Sequence, residues 1–562
     1  VDFLLVPKLF TCLKNYSKEQ FLKDLIAGII VAIIALPLSI ALAIASGVSP
    51  EKGLHTAIIG GFFISFLGGS RVQIGGPTGA FIIIVYGIIE KHGVAGLTVA
   101  TIIAGVFLLL AGFLRFGSMI KYIPYPITTG FTSGIAITIF STQIKDFFGL
   151  TIANVPSEFI EKWTAYFKGI NTINYESLLI GVISLAIIIL WPKVNKKIPG
   201  TLIAIIFATI VTAVLGLNIE TIGSRFGDIS AALPSLSIPK VNVKMIEELI
   251  FPGITIAVLA AVESLLSAVV ADGMIGGKHR SNMELVAQGT ANIFSGLFGG
   301  IPVTGAIART AANVKNGGRT PVAGIVHAVV LLIIMLLFMS YVKLVPMSSL
   351  AAILIMVSYN MGEWEAFKKF RKTPKSDAIV FLVTFSLTIL LDLVVAIGVG
   401  IVLASFLFMK RMADVTSVKS ILDDESEEND LSDLLSEVRT PEDISYYEIN
   451  GPFFFGAADK FVNVVKEVSV APKVLIIKMS KVPAMDATAL NGIEMLHGIC
   501  KRNKTEIILL QLQEQPYRTL EKAGFLEMIG NDNICESIED GIARAQAILE
   551  KRYNSKKKGL VS

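Results

Sequence analysis

Residues Gly75–Ala80 read GGPTGA, and residues Gly299–Ala306 read GGIPVTGA. Each stretch follows an apolar run ending in paired glycines, FISFLGG at Phe63–Gly69 and FSGLFGG at Phe294–Gly300, and each opens a second apolar run. Short spans interrupted by Gly and Pro at corresponding places in two halves of a membrane chain point to a transporter's binding site. A lone glycine pair is better explained by close helix packing, since small residues let backbones approach in a bilayer. Two matched motifs favour the binding-site reading.

Composition agrees with a membrane setting. Of 562 residues, 53% are hydrophobic and 17% charged, against about 25% charged in soluble domains. Apolar runs of spanning length occupy residues 24–411, and the composition of a soluble domain begins at 412. A net charge of +4 gives no reason to expect a nucleic-acid partner. Cys12, Cys500 and Cys535 are too scattered for a disulfide framework, and the five histidines lack ligand spacing, so no metal site is expected. Val1–Gln20 carries no cleavable leader pattern, and residues 1–23 read as an amphipathic lead-in at the cytoplasmic surface.

Fourteen runs are long enough to cross or half-cross a ~30 Å hydrocarbon core: 24–46, 53–68, 76–90, 94–114, 125–147, 175–191, 199–216, 247–271, 284–299, 303–314, 320–341, 347–360, 376–391 and 392–410. The third and tenth are too short or too glycine-rich to span alone. Short loops on one side carry Arg71, Arg115, Lys121, Lys193, Lys196, Lys197, Lys278, Arg280, Lys315, Arg319 and the cluster Lys368–Lys375. Basic short loops mark the cytoplasmic side, which places both termini there and makes the plasma membrane the expected location. Residues 24–216 and 247–411 then form antiparallel halves of seven spans each, with segments three and ten equivalent.

Helix N-termini expose unpaired N–H groups and about half a positive charge, so two facing ends make an anion site without a full cation. Gly79 and Gly305 allow close approach, while Thr78 and Thr304 offer hydroxyls. Arg309, just inside segment ten, is costly in hydrocarbon and is a functional candidate for that reason. Its alternative role is a structural ion pair with Glu263, the lone acid amid some twenty apolar and small residues of the eighth span. Glu263 is the candidate proton or cation handle, with Ser264 and Ser267 beside it.

At these residues the chain resembles the SulP family of anion transporters. The matching pieces are Ala35–Ser39 (ALPLS), Ser46–Leu54, Gly68–Ala80 (GGSRVQIGGPTGA), Glu263–Ser267 (ESLLS), Asn282–Gly289 (NMELVAQG) and Ala308–Ala311 (ARTA). The resemblance implies a seven-plus-seven inverted repeat, with a core domain (segments one to four and eight to eleven) moving against a gate domain, and a homodimer. It assigns the anion site to Thr78, Gly79, Ala80, Gly305 and Ala306, with Arg309 nearby and Leu38 and Leu42 of the first span lining the pocket. Animal members carry aromatics at the positions of Leu42 and Thr78, which this chain lacks. The sodium-coupled bicarbonate branch has Asp at the position of Glu263, no arginine at that of Arg309 and a polar residue at that of Ile307. Proton coupling through Glu263, with Ser264 and Ser267, is therefore expected ahead of Na⁺ coupling.

Beyond an acidic stretch at 412–443, read as a linker, residues 444–552 alternate strand and helix signals, and residues 553–562 form a basic tail facing lipid or solvent. The resemblance identifies 444–552 as a STAS domain, similar to anti-sigma-factor antagonists. Thr488 stands where those proteins are phosphorylated, and a regulatory protein is the expected partner. Helix capping by Asp486 or Thr488 explains the same residues. No nucleotide-binding fingerprint and no catalytic constellation occur, so the chain is not expected to be an enzyme and needs no cofactor beyond a coupling ion. The expected function is alternating-access secondary transport of a small oxyanion, sulfate first. C4-dicarboxylate, bicarbonate or an uncoupled anion channel are the alternatives, and a nucleobase permease of the same fold a more distant one.

Overall fold

The computed structural model describes the chain apart from residues 1–4, 15, 154, 157, 196–197, 228–232, 238, 240–241, 392, 421–442, 458–460, 462–471 and 560–562. It divides into residues 1–401 and 402–562, each taken by itself below.

The first unit is helical and polytopic. After a short helix, Lys8–Leu13, come α1 (Lys18–Ala45), α2 (Pro50–His55), a π turn (Thr56–Gly60) and α3 (Gly61–Leu67). The pair β1 (Gly75–Gly76) precedes a 3₁₀ turn (Gly79–Phe81) and α4 (Ile82–Phe113). Then follow α5 (Tyr125–Phe148), α6 (Phe159–Lys168), α7 (Tyr175–Val194), α8 (Gly200–Leu215), α9 (Ile222–Phe226), α10 (Val243–Ile275) and α11 (Ser281–Leu297). The second pair, β2 (Thr304–Gly305), leads into α12 (Ile307–Lys315), α13 (Val322–Val342), α14 (Met347–Met361), α15 (Lys375–Leu390) and α16 (Leu393–Val415). Among the described residues, six helices are long and apolar enough to cross a membrane by length and composition.

Segments three and four are the two parts of α4, which breaks between the expected runs at Gly93, whose φ of 65° is left-handed and suits glycine alone. One expected boundary shifts. The first span begins at Lys18, inside the expected lead-in. Ser17 caps this start by accepting the N–H of Gln20 (3.1 Å), and Asp24, buried within the helix, accepts the backbone N–H of Arg319 (2.8 Å) and the hydroxyls of Thr320 (2.6 Å) and Tyr16 (3.0 Å).

The helices sort into two groups. In one, α4 packs along α10 and α11, α1 along α13, and α3 along α11. In the other, α5 packs along α14 and α15, and α7 along α8 and α14. These are the core and gate sets implied by the resemblance. The inverted symmetry is visible in the echoed residues themselves. Phe63 and Phe294 stack with ring centroids 4.3 Å apart and planes at 18°. Elsewhere in this group, at a contact outside the echoed motifs, Gly105 of α4 and Gly289 of α11 face each other so closely that a β-carbon on either would lie 2.6–2.7 Å from the other's carbonyl oxygen.

In the second unit, β3 (Ser417–Ser420), β4 (Ile444–Asn450), β5 (Val474–Lys481), β6 (Glu506–Leu510) and β7 (Ile534–Cys535) form a sheet in that order, antiparallel at β3–β4 and parallel elsewhere. Helices α17 (Ala487–Arg502), α18 (Glu514–Lys522), α19 (Phe525–Ile529) and α20 (Ile538–Gly559) complete it. Strand side chains alternate between two cores: Leu475 and Ile477 pack with Ile493 and Leu496, while Val474 and Ile476 pack with Ile542 and Leu549. Burial on both faces explains the unbroken apolar run of β5. The expected linker is corrected in part, because its residues Ser417–Ser420 pair with β4 as an edge strand. Pro452–Phe455, an apolar stretch that reads as a short strand in sequence, pairs only through a single bridge between Phe453 and Met485. Helix α20 continues through the expected tail to Gly559. The acidic run Asp423–Asp430 and most of the stretch 457–468, which reads as amphipathic in sequence, lie outside the described residues.

Candidate functional site

The two broken segments meet. β1 and β2 pair antiparallel, Gly75 opposite Gly305 and Gly76 opposite Thr304. This short ladder satisfies backbone groups where the helices are interrupted, as non-helical backbone inside a membrane domain requires. From the crossing, the 3₁₀ turn at Gly79 and helix α12 at Ile307 start in separate directions. Neither start carries a side-chain cap, although Thr78 and Ala306 occupy the N-cap positions. Uncapped N–H groups at both ends are what an anion would use.

Glycine is required here by close approach. A β-carbon on Gly76 would overlap Nη1 of Arg309, and one on Gly305 would overlap Nε2 of Gln73. Gly79 faces Ile139 of α5 and Met361 of α14, so the first N-terminus abuts the second helix group.

Arg309 is the third residue of α12 and 1% exposed. Its guanidinium reaches back over the helix start: Nη2 donates to the carbonyl of Pro77 (3.1 Å) and lies 3.4 Å from Oγ of Ser39. Nε and Nη1 have no acceptor among the described residues. Glu263, the partner a structural pairing would need, is engaged elsewhere: its Oε2 accepts the Thr78 hydroxyl at 2.6 Å. Thr78 and Glu263 are only half-buried, whereas Gly79, Ala80, Gly305 and Ala306 are buried. Leu38 and Leu42 flank Ser39 on α1, Leu38 half-buried and Leu42 packed in the core.

The remaining candidates separate from this cluster. Ser264 Oγ accepts from Nε2 of Gln73 (2.9 Å) and lies 3.3 Å from Oε1 of Glu284, while Ser267 Oγ is 3.4 Å from Oγ1 of Thr310. Thr304 turns away and donates to the carbonyl of Ala260 at 2.9 Å. Pro77 contributes the carbonyl that accepts from Arg309. No cluster of three or more His, Cys, Asp or Glu residues suited to a metal occurs among the described residues.

Sequence reasoning passed over Glu284. Its Oε2 accepts the backbone N–H groups of Gly69 (2.9 Å) and Ser70 (3.0 Å), fixing the loop that leads to β1. Oε1 accepts Nε2 of Gln288 at 2.9 Å. Glu284 is a lone acid in an apolar run, the signal that singled out Glu263. His327 of α13, fully buried with neither ring nitrogen partnered among the described residues, is a second omission of this kind.

The profile of the sulfate permease family matches residues 21–384. The chain belongs to the sulfate permease family. A STAS-domain profile matches residues 436–541. YvdB of Bacillus subtilis (strain 168), named as a putative sulfate transporter, is 40% identical over 522 residues, covering 92% of this chain and 97% of YvdB. The bicarbonate transporter BicA of Picosynechococcus sp. is 28% identical over 545 residues, covering 93% of this chain and 94% of BicA. Among solved structures, SLC26A9 superposes with a TM-score of 0.83 at 20% identity, over 97% of this chain and 93% of that one. The transmembrane domain of a cyanobacterial BicA gives 0.62 at 29% identity, over 69% of this chain and 98% of that one. This sulfate permease family member is thus an anion transporter, not an enzyme, with a multi-pass helical membrane domain and a STAS domain.

In the STAS domain, Asp486 caps α17 by accepting the N–H of Ala489 at 2.8 Å. Thr488, the second residue of that helix, is exposed.

Proposed function

We propose that the protein is a proton-coupled secondary active transporter of small oxyanions, sulfate first, working by alternating access. The anion sits between the N-termini of the Gly79 turn and α12. One observation carries this reading: a buried guanidinium with two unpartnered nitrogens lies beside two uncapped helix starts, and the nearby carboxylate holds a threonine hydroxyl instead of the arginine. Arg309 and the N–H groups supply positive potential, which suits a divalent anion. Glu263 supplies coupling. Ionised, it places negative charge beside the site and occupies Thr78; protonated, it removes that charge and frees Thr78 to bond the anion. Movement of the first helix group against the second, across Gly79 and its neighbours Ile139 and Met361, would carry the site between the two faces.

Bicarbonate is the second reading, favoured by the BicA relatives over almost the whole chain. C4-dicarboxylates fit the same charge logic, and an uncoupled channel differs in showing large current without gradient-driven uptake. The proposed setting is a homodimer in the plasma membrane, with both termini and the STAS domain cytoplasmic. There, exposed Thr488 would serve as a phosphorylation site and a regulatory protein would be the STAS partner.

The deciding experiment is uptake of radiolabelled sulfate, fumarate and bicarbonate by purified protein in liposomes. Saturable sulfate uptake driven by an inward proton gradient is expected. Uptake driven by a sodium gradient and indifferent to protons would overturn the coupling, and uptake of bicarbonate alone would replace the substrate.

A further inference from the structure

A cavity of about 180 Å³ lies between the two helix groups at the ends of α1 and α5, on the side away from the basic short loops. That is far above the ~10–15 Å³ one water needs. Ile82 and Ile83, at its floor, directly follow the Gly79–Phe81 turn. The cavity therefore abuts the candidate site along the chain. Ala153, Val155 and Pro156 also line it, and the Tyr86 hydroxyl donates to the carbonyl of Val155 at 3.2 Å.

The charges around it do not balance locally. Asp146 is engaged by Arg225, whose Nη1 lies 3.2 Å from it, and the Nε of Arg225 donates to Glu220 at 2.8 Å. Lys162 of α6 also lines the cavity, is 6% exposed, and has no carboxylate in ion-pair contact among the described residues. One helical turn on, Tyr166 is 4% exposed, and its hydroxyl has no partner among the described residues. A buried cation without a counter-charge is costly. An ammonium and a hydroxyl donor one helical turn apart on α6, on residues that both line the cavity, are complementary to an oxyanion.

We infer that this cavity is an oxyanion-binding subsite, in which the Lys162 ammonium and the Tyr166 hydroxyl hold a small oxyanion on the outer approach to the crossing point. Its role in delivering substrate rests on the transport reading above; its capacity to bind does not. Lys162 lies outside the membrane spans, and burial alone lowers its pKa to about 8. Tyr166 is pushed above its ordinary range, first by burial and then by Asp146 and Tyr86, so it stays a donor. Arg225 stays charged: burial opposes its charge, but Glu220 and Asp146 more than offset this. A lowered lysine pKa means the positive form is full below it and lost as pH rises through it. Binding therefore weakens between pH 7 and 9, with Lys145, Asp146, Glu220, Arg225, Tyr86 and Tyr166 as the other groups facing the site.

Trp163 adjoins Lys162 and is anchored by its Nε1 donating to Ser141 Oγ at 3.1 Å, so its fluorescence reports on the cavity directly. Full-length protein carrying Trp191→Phe and Trp364→Phe leaves Trp163 as the only tryptophan. Titration with sodium sulfate, with gluconate as the ionic-strength control, is expected to give a saturable change. Lys162→Gln should weaken it at least tenfold and Tyr166→Phe severalfold. Lys162→Arg should keep it and abolish its decline from pH 7 to 9, because arginine remains charged. Arg309→Ala should keep the Trp163 signal while losing uptake, which separates the two sites. In liposomes, Lys162→Gln should raise KM for external sulfate and leave kcat unchanged. A Trp163 titration identical in wild type and Lys162→Gln, or one lost in Arg309→Ala, would overturn the subsite. Absence of sulfate uptake with the titration intact would overturn only the transport reading.

Discussion

The two echoed motifs end in the same three residues, Thr-Gly-Ala, yet their threonines do different things. Thr78 bonds a half-buried carboxylate, Glu263, at a position open enough for a ligand to compete. Thr304 is completely buried and bonds the carbonyl of Ala260. The second motif makes up the difference with Arg309, three residues beyond Ala306, whose counterpart after Ala80 is Ile83. The two repeats thus provide two helix starts by symmetry, while the charges depart from that symmetry: Arg309 and Glu263 both lie in the second half, and the first half offers Thr78 to Glu263. In the reading proposed above, Arg309 serves the anion and Glu263 the coupling.

Arg309→Ala tests this asymmetry most severely. Hydrogen bonds to a charged group contribute ~1.5–3 kcal/mol, about 10- to 100-fold in affinity. Loss of sulfate kcat/KM near the upper end is expected, because the two helix ends alone carry only partial charges. Uptake close to wild type would mean that the helix starts suffice and the repeat halves are equivalent after all.

Glu263→Gln removes the titratable group while keeping an acceptor for Thr78. Sulfate exchange without a gradient should persist, and stimulation by an inward proton gradient should disappear. Undiminished stimulation would move the coupling site elsewhere, with Glu284 and His327 the next buried candidates. Thr78→Val should then cost a single hydrogen bond, ~1 kcal/mol, or about fivefold in apparent sulfate affinity.

Much of this arrangement was legible in the chain itself. Apolar run lengths, basic loops and the doubled Gly/Pro interruption give the spans and the half-segments, because bilayer thickness and backbone satisfaction constrain sequence strongly. Arg309 and Glu263 stand out since ionisable residues are rare in such runs. What sequence did not reveal depends on tertiary partners. Nothing local distinguishes Thr304 from Thr78. Ser264 looks like a companion of Glu263 until Gln73 arrives from 191 residues away to claim it. The edge strand Ser417–Ser420 is four residues that become a strand only beside β4. Lys162 reads as a loop lysine in sequence, and only the fold buries it.

Thr304→Val is the smallest change, and it isolates what the two motifs do not share. The substitution conserves shape and removes a hydroxyl bonded to a carbonyl inside α10, whose oxygen keeps its place in the helical ladder. A loss of stability of no more than ~1 kcal/mol is expected, read as a slight drop in the melting temperature of the purified protein. Sulfate KM and the response to a proton gradient should both stay at wild-type values, in contrast to Thr78→Val. Were Thr304→Val to raise KM as much as Thr78→Val does, the Thr304 hydroxyl would have to leave Ala260 and turn to the anion during transport. The halves would then be chemically symmetric in the working state, and the asymmetry would be reduced to Arg309 alone.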